Sequence, residues 1–182
     1  AGGGGAAIVL TDEGADSYDY REVGGVWTVE QEFGGGPRGF GYGVSIERDR
    51  IAIGSYVQAA SAQSSGAVYI LDRSGTTWSL TERLTNASVP GLDPLPSFGK
   101  QLELDGPRLL VGASAPEVGG SDGVRVLRDI GGTYVAAASI DPPAGSQGFG
   151  AAFAFADGDL WVGAPFTPDP TIASQGNTGA HF

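Results

Sequence analysis

Apolar residues along this chain come in short alternating bursts, separated by turns rich in Gly, Pro, Asp and Ser. The run 40–47 (FGYGVSIE) sets Tyr42, Val44 and Ile46 on one face, as a half-buried strand requires. Arg48-Asp49 makes a tight turn and 50–56 (RIAIGSY) returns. A polar stretch, 57–65, leads to a third strand over 67–72 (AVYILD); 73–76 turn the chain, and 77–84 (TWSLTERL) makes a fourth. Four consecutive antiparallel strands in about 45 residues form a meander. Repeated around an axis, that unit is a propeller blade. Few segments sustain helical spacing, and the nearest, 134–140 (YVAAASI), is short and fits a strand as well.

The unit recurs. Phe40-Gly41, Phe98-Gly99 and Phe149-Gly150 are each followed 14 residues after the Phe by another glycine: Gly54, Gly112 and Gly163. The strands between agree, with Val44-Ser45-Ile46, Leu102-Glu103-Leu104 and Phe153-Ala154-Phe155 in matching places. The second copy is expected to run 98–103, 108–114, 123–128 and 133–140, with Asp105-Gly106 as a hairpin turn. The third runs 149–155, turns at Asp157-Gly158, continues over 159–164 and reaches 179–182. Ahead of the first copy, 17–22 and 26–33 read as third and fourth strands and 6–11 as a second strand. Trp27, Trp78 and Tyr134 then share one position at the start of the fourth strand. The expected fold is all-β, a β-propeller of four-stranded antiparallel blades. Its blades are 40–84 and 98–140, flanked by partial blades 6–33 and 149–182.

Each residue type has a physical task in such a blade. A Phe at the start of each inner strand can pack between adjacent blades near the axis and fill the wedge there, and the Gly after it lets backbones approach. Gly54, Gly112 and Gly163 end the second strand where a side chain would collide with a neighbour or where φ is positive. Trp27, Trp78 and Tyr134 are expected to cover the blade's outer edge.

Composition narrows the partners. The 182 residues include 32 Gly, 11 Pro and no Cys, and carry a net charge of −11. So acidic a chain argues against nucleic acid, whose phosphates need a basic surface. Without Cys there is no disulfide or thiolate metal site. No apolar run approaches the roughly 20 residues of a membrane helix, so no membrane insertion is expected from this segment. Met is absent even at position 1, so a processed product or a piece of a longer polypeptide is expected.

Phe-Gly, an alternating strand, a turn, and a strand ending in Gly163-Ala164-Pro165 resemble the FG-GAP repeats of integrin α-chain propellers and of many secreted proteins. Gly54-Ser55-Tyr56 and Gly112-Ala113-Ser114 are looser copies, and the resemblance runs from about Ala6 to Phe182. It implies an extracellular or cell-surface setting. In integrin-type repeats the turn between the first two strands often holds calcium, which needs six to eight oxygens. Here those turns, 47–50, 104–107 and 156–159, are short, and the first carries two arginines. Asp157 and Asp159 come nearest to calcium ligands, and Asp12, Glu13, Asp16 and Asp19 form a second acidic cluster that fits no complete loop. A hairpin turn is the better reading of the first and a solvated turn of the second, and no cofactor is expected.

Catalytic chemistry finds little footing. Residues 119–123 (GGSDG) match the form of a nucleophile elbow, but no helix follows. His181 is the only histidine and aligns with Tyr69 and Arg125, ordinary strand positions. Asn86-Ala87-Ser88 is an N-glycosylation sequon in the Pro-containing connection between blades. The expected function is a non-enzymatic adhesion or structural module of a larger secreted or cell-surface protein, fibre-forming proteins included. Its partners would be proteins, glycans, further copies, or the rest of the same protein. The alternative is a propeller accompanying the catalytic domain of a secreted hydrolase. A free-standing closed monomer is not expected, since cut blades leave strand edges and apolar faces uncovered.

Overall fold

A computed structural model describes residues 6–10, 17–34, 36–37, 39–56, 66–92, 97–113, 123–156, 159–166 and 180–181. Among them every regular element is a strand, and the strands form four antiparallel meanders. The first comprises β1 (Ala6–Leu10), β2 (Ser17–Val23) and β3 (Val26–Phe33). The second comprises β4 (Phe40–Glu47), β5 (Arg50–Tyr56), β6 (Gly66–Ser74) and β7 (Thr77–Leu84). The third comprises β8 (Gln101–Asp105), β9 (Arg108–Ala113), β10 (Gly123–Asp129) and β11 (Tyr134–Ile140). The fourth comprises β12 (Ala152–Ala156), β13 (Asp159–Ala164) and β14 (Ala180–His181). We call them the first to fourth blades.

Register repeats from blade to blade. Val44 pairs with Ile53, Leu102 with Val111 and Phe153 with Val162, each four residues beyond its Phe. The ladder between third and fourth strands slips at one equivalent place in each of three blades: Asp19/Tyr20, Ile70/Leu71 and Val126/Leu127. A bulge there adds twist, which helps a blade follow its neighbour round an axis.

The core lies between blades. Ile51, Ile53 and Trp78 of the second blade face the first blade, with Phe33, Val44 and Ile46 packed alongside. Ala52, Val68, Ile70 and Leu84 of the second blade meet Phe98, Leu102, Leu109, Val111, Leu127 and Tyr134 of the third. Leu110 and Val124 of the third meet Phe149, Val162 and Ala164 of the fourth, with Phe153 and Phe155 beside them. Alternate residues of a strand thus serve opposite neighbours, which explains why β5 and β9 are apolar at every central position.

The inner strands differ from the sequence-based expectation at their starts. β8 begins at Gln101 and β12 at Ala152, so Phe98 and Phe149 sit in turns just ahead of the ladder. In β4 the register is irregular between Phe40 and Val44. This swings Tyr42 away from Val44 and Ile46 and leaves it 52% exposed rather than on their buried face. The cause is the glycine after each Phe: Gly41, Gly99 and Gly150 have φ of 89°, 92° and 85°. Such angles lie outside the extended region of a regular ladder and are open to glycine.

Candidate functional site: the blade junctions

The repeated residues meet at the junctions. A Cβ added to Gly99 would lie 2.7 Å from the Ala67 carbonyl oxygen on β6; on Gly150 it would lie 2.8 Å from that of Gly123 on β10. Those two carbonyls occupy equivalent positions in consecutive blades. The same Phe-Gly turn also fills a slot on the second strand. A Cβ at Gly54 would stand 1.8 Å from the Gly99 carbonyl oxygen, and one at Gly112 2.7 Å from that of Gly150. A following Phe-Gly turn therefore keys into a glycine of the preceding blade, twice over. At Gly163 the nearest atom would be 3.6 Å away, so this slot is open among the described residues.

Phe98 is fully buried (0% exposed) and Phe149 nearly so, whereas Phe40 is half-buried and packs edge-on against Tyr69 of its own blade, ring centroids 5.3 Å apart. Trp78 and Tyr134 are 3% and 1% exposed, but Trp27 is 49% exposed. The expectation that these three cover an outer edge is corrected: Trp78 and Tyr134 turn inward against the preceding blade. The Trp78 backbone N–H donates to Gln31 Oε1 at 2.8 Å. Trp27 belongs to the first described blade and has no such neighbour among the described residues.

Polar side chains clamp the inner strands together. Ser45 Oγ accepts the Leu104 N–H at 2.9 Å, and Glu103 Oε1 accepts the Phe155 N–H at 3.0 Å. Both acceptors lie five residues after their Phe. Glu47 Oε2 accepts the Gly106 N–H at 2.6 Å.

At the rim carrying the turns between first and second strands, Arg50 joins two blades. Its Nε and Nη2 donate to the two oxygens of Asp72 at 2.7 and 3.0 Å, and Nη1 donates to Asp129 Oδ2 at 2.6 Å. The guanidinium also lies over the Tyr134 ring, 5.9 Å from its centroid. The hydrogen bonds from Arg50 hold both carboxyls below the ordinary aspartate value, and those to Asp72 and then Asp129 raise Arg50 itself. Burial pushes Glu82 and the Tyr134 hydroxyl up. A cleft of about 470 Å³ opens beside this group, bordered by Glu47, Arg48, Asp49, Arg50, Asp72 and Gly106. Arg48 adopts φ 54°, where the third blade has Gly106 at 56°. Of the acids bordering the cleft, Asp72 is held by Arg50 and Glu47 by the Gly106 amide.

Among the described residues no three metal-ligating side chains converge. Asp159 is exposed at the start of β13, and Asp19 is buried with Oδ2 accepting from Trp78 Nε1 at 2.8 Å. Asp12, Glu13, Asp16 and Asp157 lie outside the described residues, as do 119–122 of the elbow-like sequence. The His181 backbone pairs with Gly163 on β13. Asn86 is half-buried in a turn fixed by Thr85 and Ser88, whose hydroxyls each accept the other's backbone N–H, at 3.1 and 2.8 Å. Sequence reasoning missed Gln31, although it stands four residues after its Trp. It also missed the Arg50 clamp, whose partner Asp129 is 79 residues away.

Four-stranded meanders keyed face to face in this way are the blades of a β-propeller, here a partial one or part of a larger one. Residues 35–71 match the family model of the FG-GAP repeat, spanning the Phe40-Gly41 turn and continuing into β6. That stretch is similar to an FG-GAP repeat. No curated protein matches the chain. No helix among the described residues is long and apolar enough to cross a membrane.

Proposed function

We propose that this chain is a non-enzymatic interaction or structural module of a larger secreted or cell-surface protein. Its stacked blades would form a rigid scaffold for protein or glycan partners, for further copies, or for the rest of the same protein. The observation that carries this reading is how the polar side chains are used. Ser45, Glu47 and Glu103 each hold a backbone N–H of the next blade, and Arg50 ties Asp72 to Asp129. The chemistry is spent on stacking blades, which suits a scaffold better than a reaction. The integrin-like repeat pattern supports an extracellular place, and Asn86 is the glycosylation candidate there. The test is protease shaving of intact source cells together with fractionation of the medium. Release by external protease, or recovery from the medium, is the expected result; complete protection until lysis would refute the extracellular reading.

A further inference from the structure

The three blade junctions are not alike. Between the second and third blades, Val68 and Ile70 of the third strand lie in an apolar cluster, and Val124 and Val126 serve the same role between the third and fourth. Register places Ser17 and Asp19 of β2 at those positions in the first blade. Both are fully buried. Among the described residues, Ser17 Oγ and Asp19 Oδ1 meet no hydrogen-bond partner. Leu10 pairs with Ser17 as Gly54 pairs with Val68 and Gly112 with Val124, so it stands where the other junctions have the glycine slot.

β2 and β3 reach the second blade through polar groups. Asp19 receives the Trp78 indole N–H, Gln31 pairs with the Trp78 N–H and carbonyl at 2.8 and 3.1 Å, and Glu30 bonds Arg73 at 2.9 Å. Phe33 of β3 packs against the cluster around Ile51, Ile53 and Trp78. Separating such a seam exchanges protein hydrogen bonds for water at little net cost, and it hydrates two atoms that the closed seam leaves unsatisfied. Separating either apolar junction exposes hydrocarbon instead.

We propose that the junction between the first and second blades is the opening point of this fold: β1–β3 unlatch as one unit and reversibly bare the apolar Trp78 face. Hydrogen exchange on the 182-residue chain tests this, with β12–β13 as the control because the fourth blade is also terminal but rests on an apolar junction. Amides of β2 and β3 should exchange at least tenfold faster than those of β12 and β13. Replacing Ser17→Val with Asp19→Ile, the residues found at Val68 and Ile70, should slow β2–β3 at least tenfold and leave β9–β10 unchanged. Gln31→Ala should speed β2–β3 alone, and it carries the test should the double variant not fold. Equal protection of the two terminal blades in the parent, or a Gln31→Ala effect spread evenly over all blades, would overturn the proposal.

Discussion

Adding a single methyl group at Gly54 should damage this protein far more than the same change at Gly163. A Cβ at Gly54 would lie 1.8 Å from the Gly99 carbonyl oxygen and 2.9 Å from its carbon. Both are backbone atoms, so no rotamer change relieves the clash. Contact at a tolerable ~3.2 Å requires the second and third blades to part by over an ångström, loosening Phe98, Leu102 and Val68 in their shared cluster. Overpacking of a tight core costs about 1–3 kcal/mol, and an immovable backbone places this site at or above the top of that range. The loss of chain entropy on replacing Gly by Ala returns about 0.4–1 kcal/mol. The net expectation for Gly54→Ala is about 2–4 kcal/mol destabilising, which lowers Tm by about 4–16 °C for a domain of this size. At Gly163 the nearest atom is 3.6 Å away, so Gly163→Ala should leave Tm unchanged or raise it slightly. Thermal melts followed by circular dichroism decide the matter. A Gly54→Ala protein melting within a degree of its parent, or equal losses at both glycines, would refute the keyed-junction argument.

Other expectations follow from the same contacts. Phe98→Ala should cost about 3–5 kcal/mol in urea melts and Phe40→Ala clearly less, because only Phe98 is fully enclosed. Trp78→Ala should be several-fold more damaging than Trp27→Ala, and similar losses would contradict the inward placement of Trp78. Asp72 and Asp129 are held below their ordinary value of 3.8, so the Arg50 clamp contributes fully above that pH and is lost as pH falls through the depressed values. The pair is partly exposed, so the gain is modest. Glu82 acts oppositely: raised above 4.5 by burial, it costs stability while ionised, and that cost fades on acidification. The Arg50→Met protein should therefore show a shallower stability loss below pH 3.8 than its parent, read from urea midpoints across pH. Melts with calcium and with a chelator should coincide; a fall of many degrees on chelation would mean that ligands come from turns such as that at Asp12 and Asp16.

Much of the fold is written locally. The alternation in β6, the Asp105-Gly106 turn and the constant spacing from Phe to glycine all act within one blade or between neighbours in sequence. The residues at the junctions were partly legible, since Gly54 and Gly112 announce a close approach without saying what approaches. Tyr42 was misplaced because a positive-φ glycine on each side of Phe40, Gly39 at 75° and Gly41 at 89°, breaks the strict alternation. The Arg50 clamp was illegible for another reason: Asp72 and Asp129 are at non-equivalent positions of their blades, so no repeat flags them. Ser17 and Asp19 looked like ordinary polar strand residues until their register set them where Val68 and Ile70 stand.

The keyed turn also bears on how such chains can lengthen. The Phe98-Gly99 and Phe149-Gly150 turns each fit the glycine of the unit before, and each of these units carries its own glycine 14 residues after its Phe. Duplicating one whole unit, from one Phe to the next, therefore creates a new junction with all its parts already matched. Losing a whole unit rejoins two compatible surfaces in the same way. An insertion of one residue between Phe98 and Gly112 has no such tolerance, because it would move the slot off the incoming Gly150 carbonyl. Genes of this kind can change by copying in steps of a blade, and the unit of inheritance is then also the unit of packing.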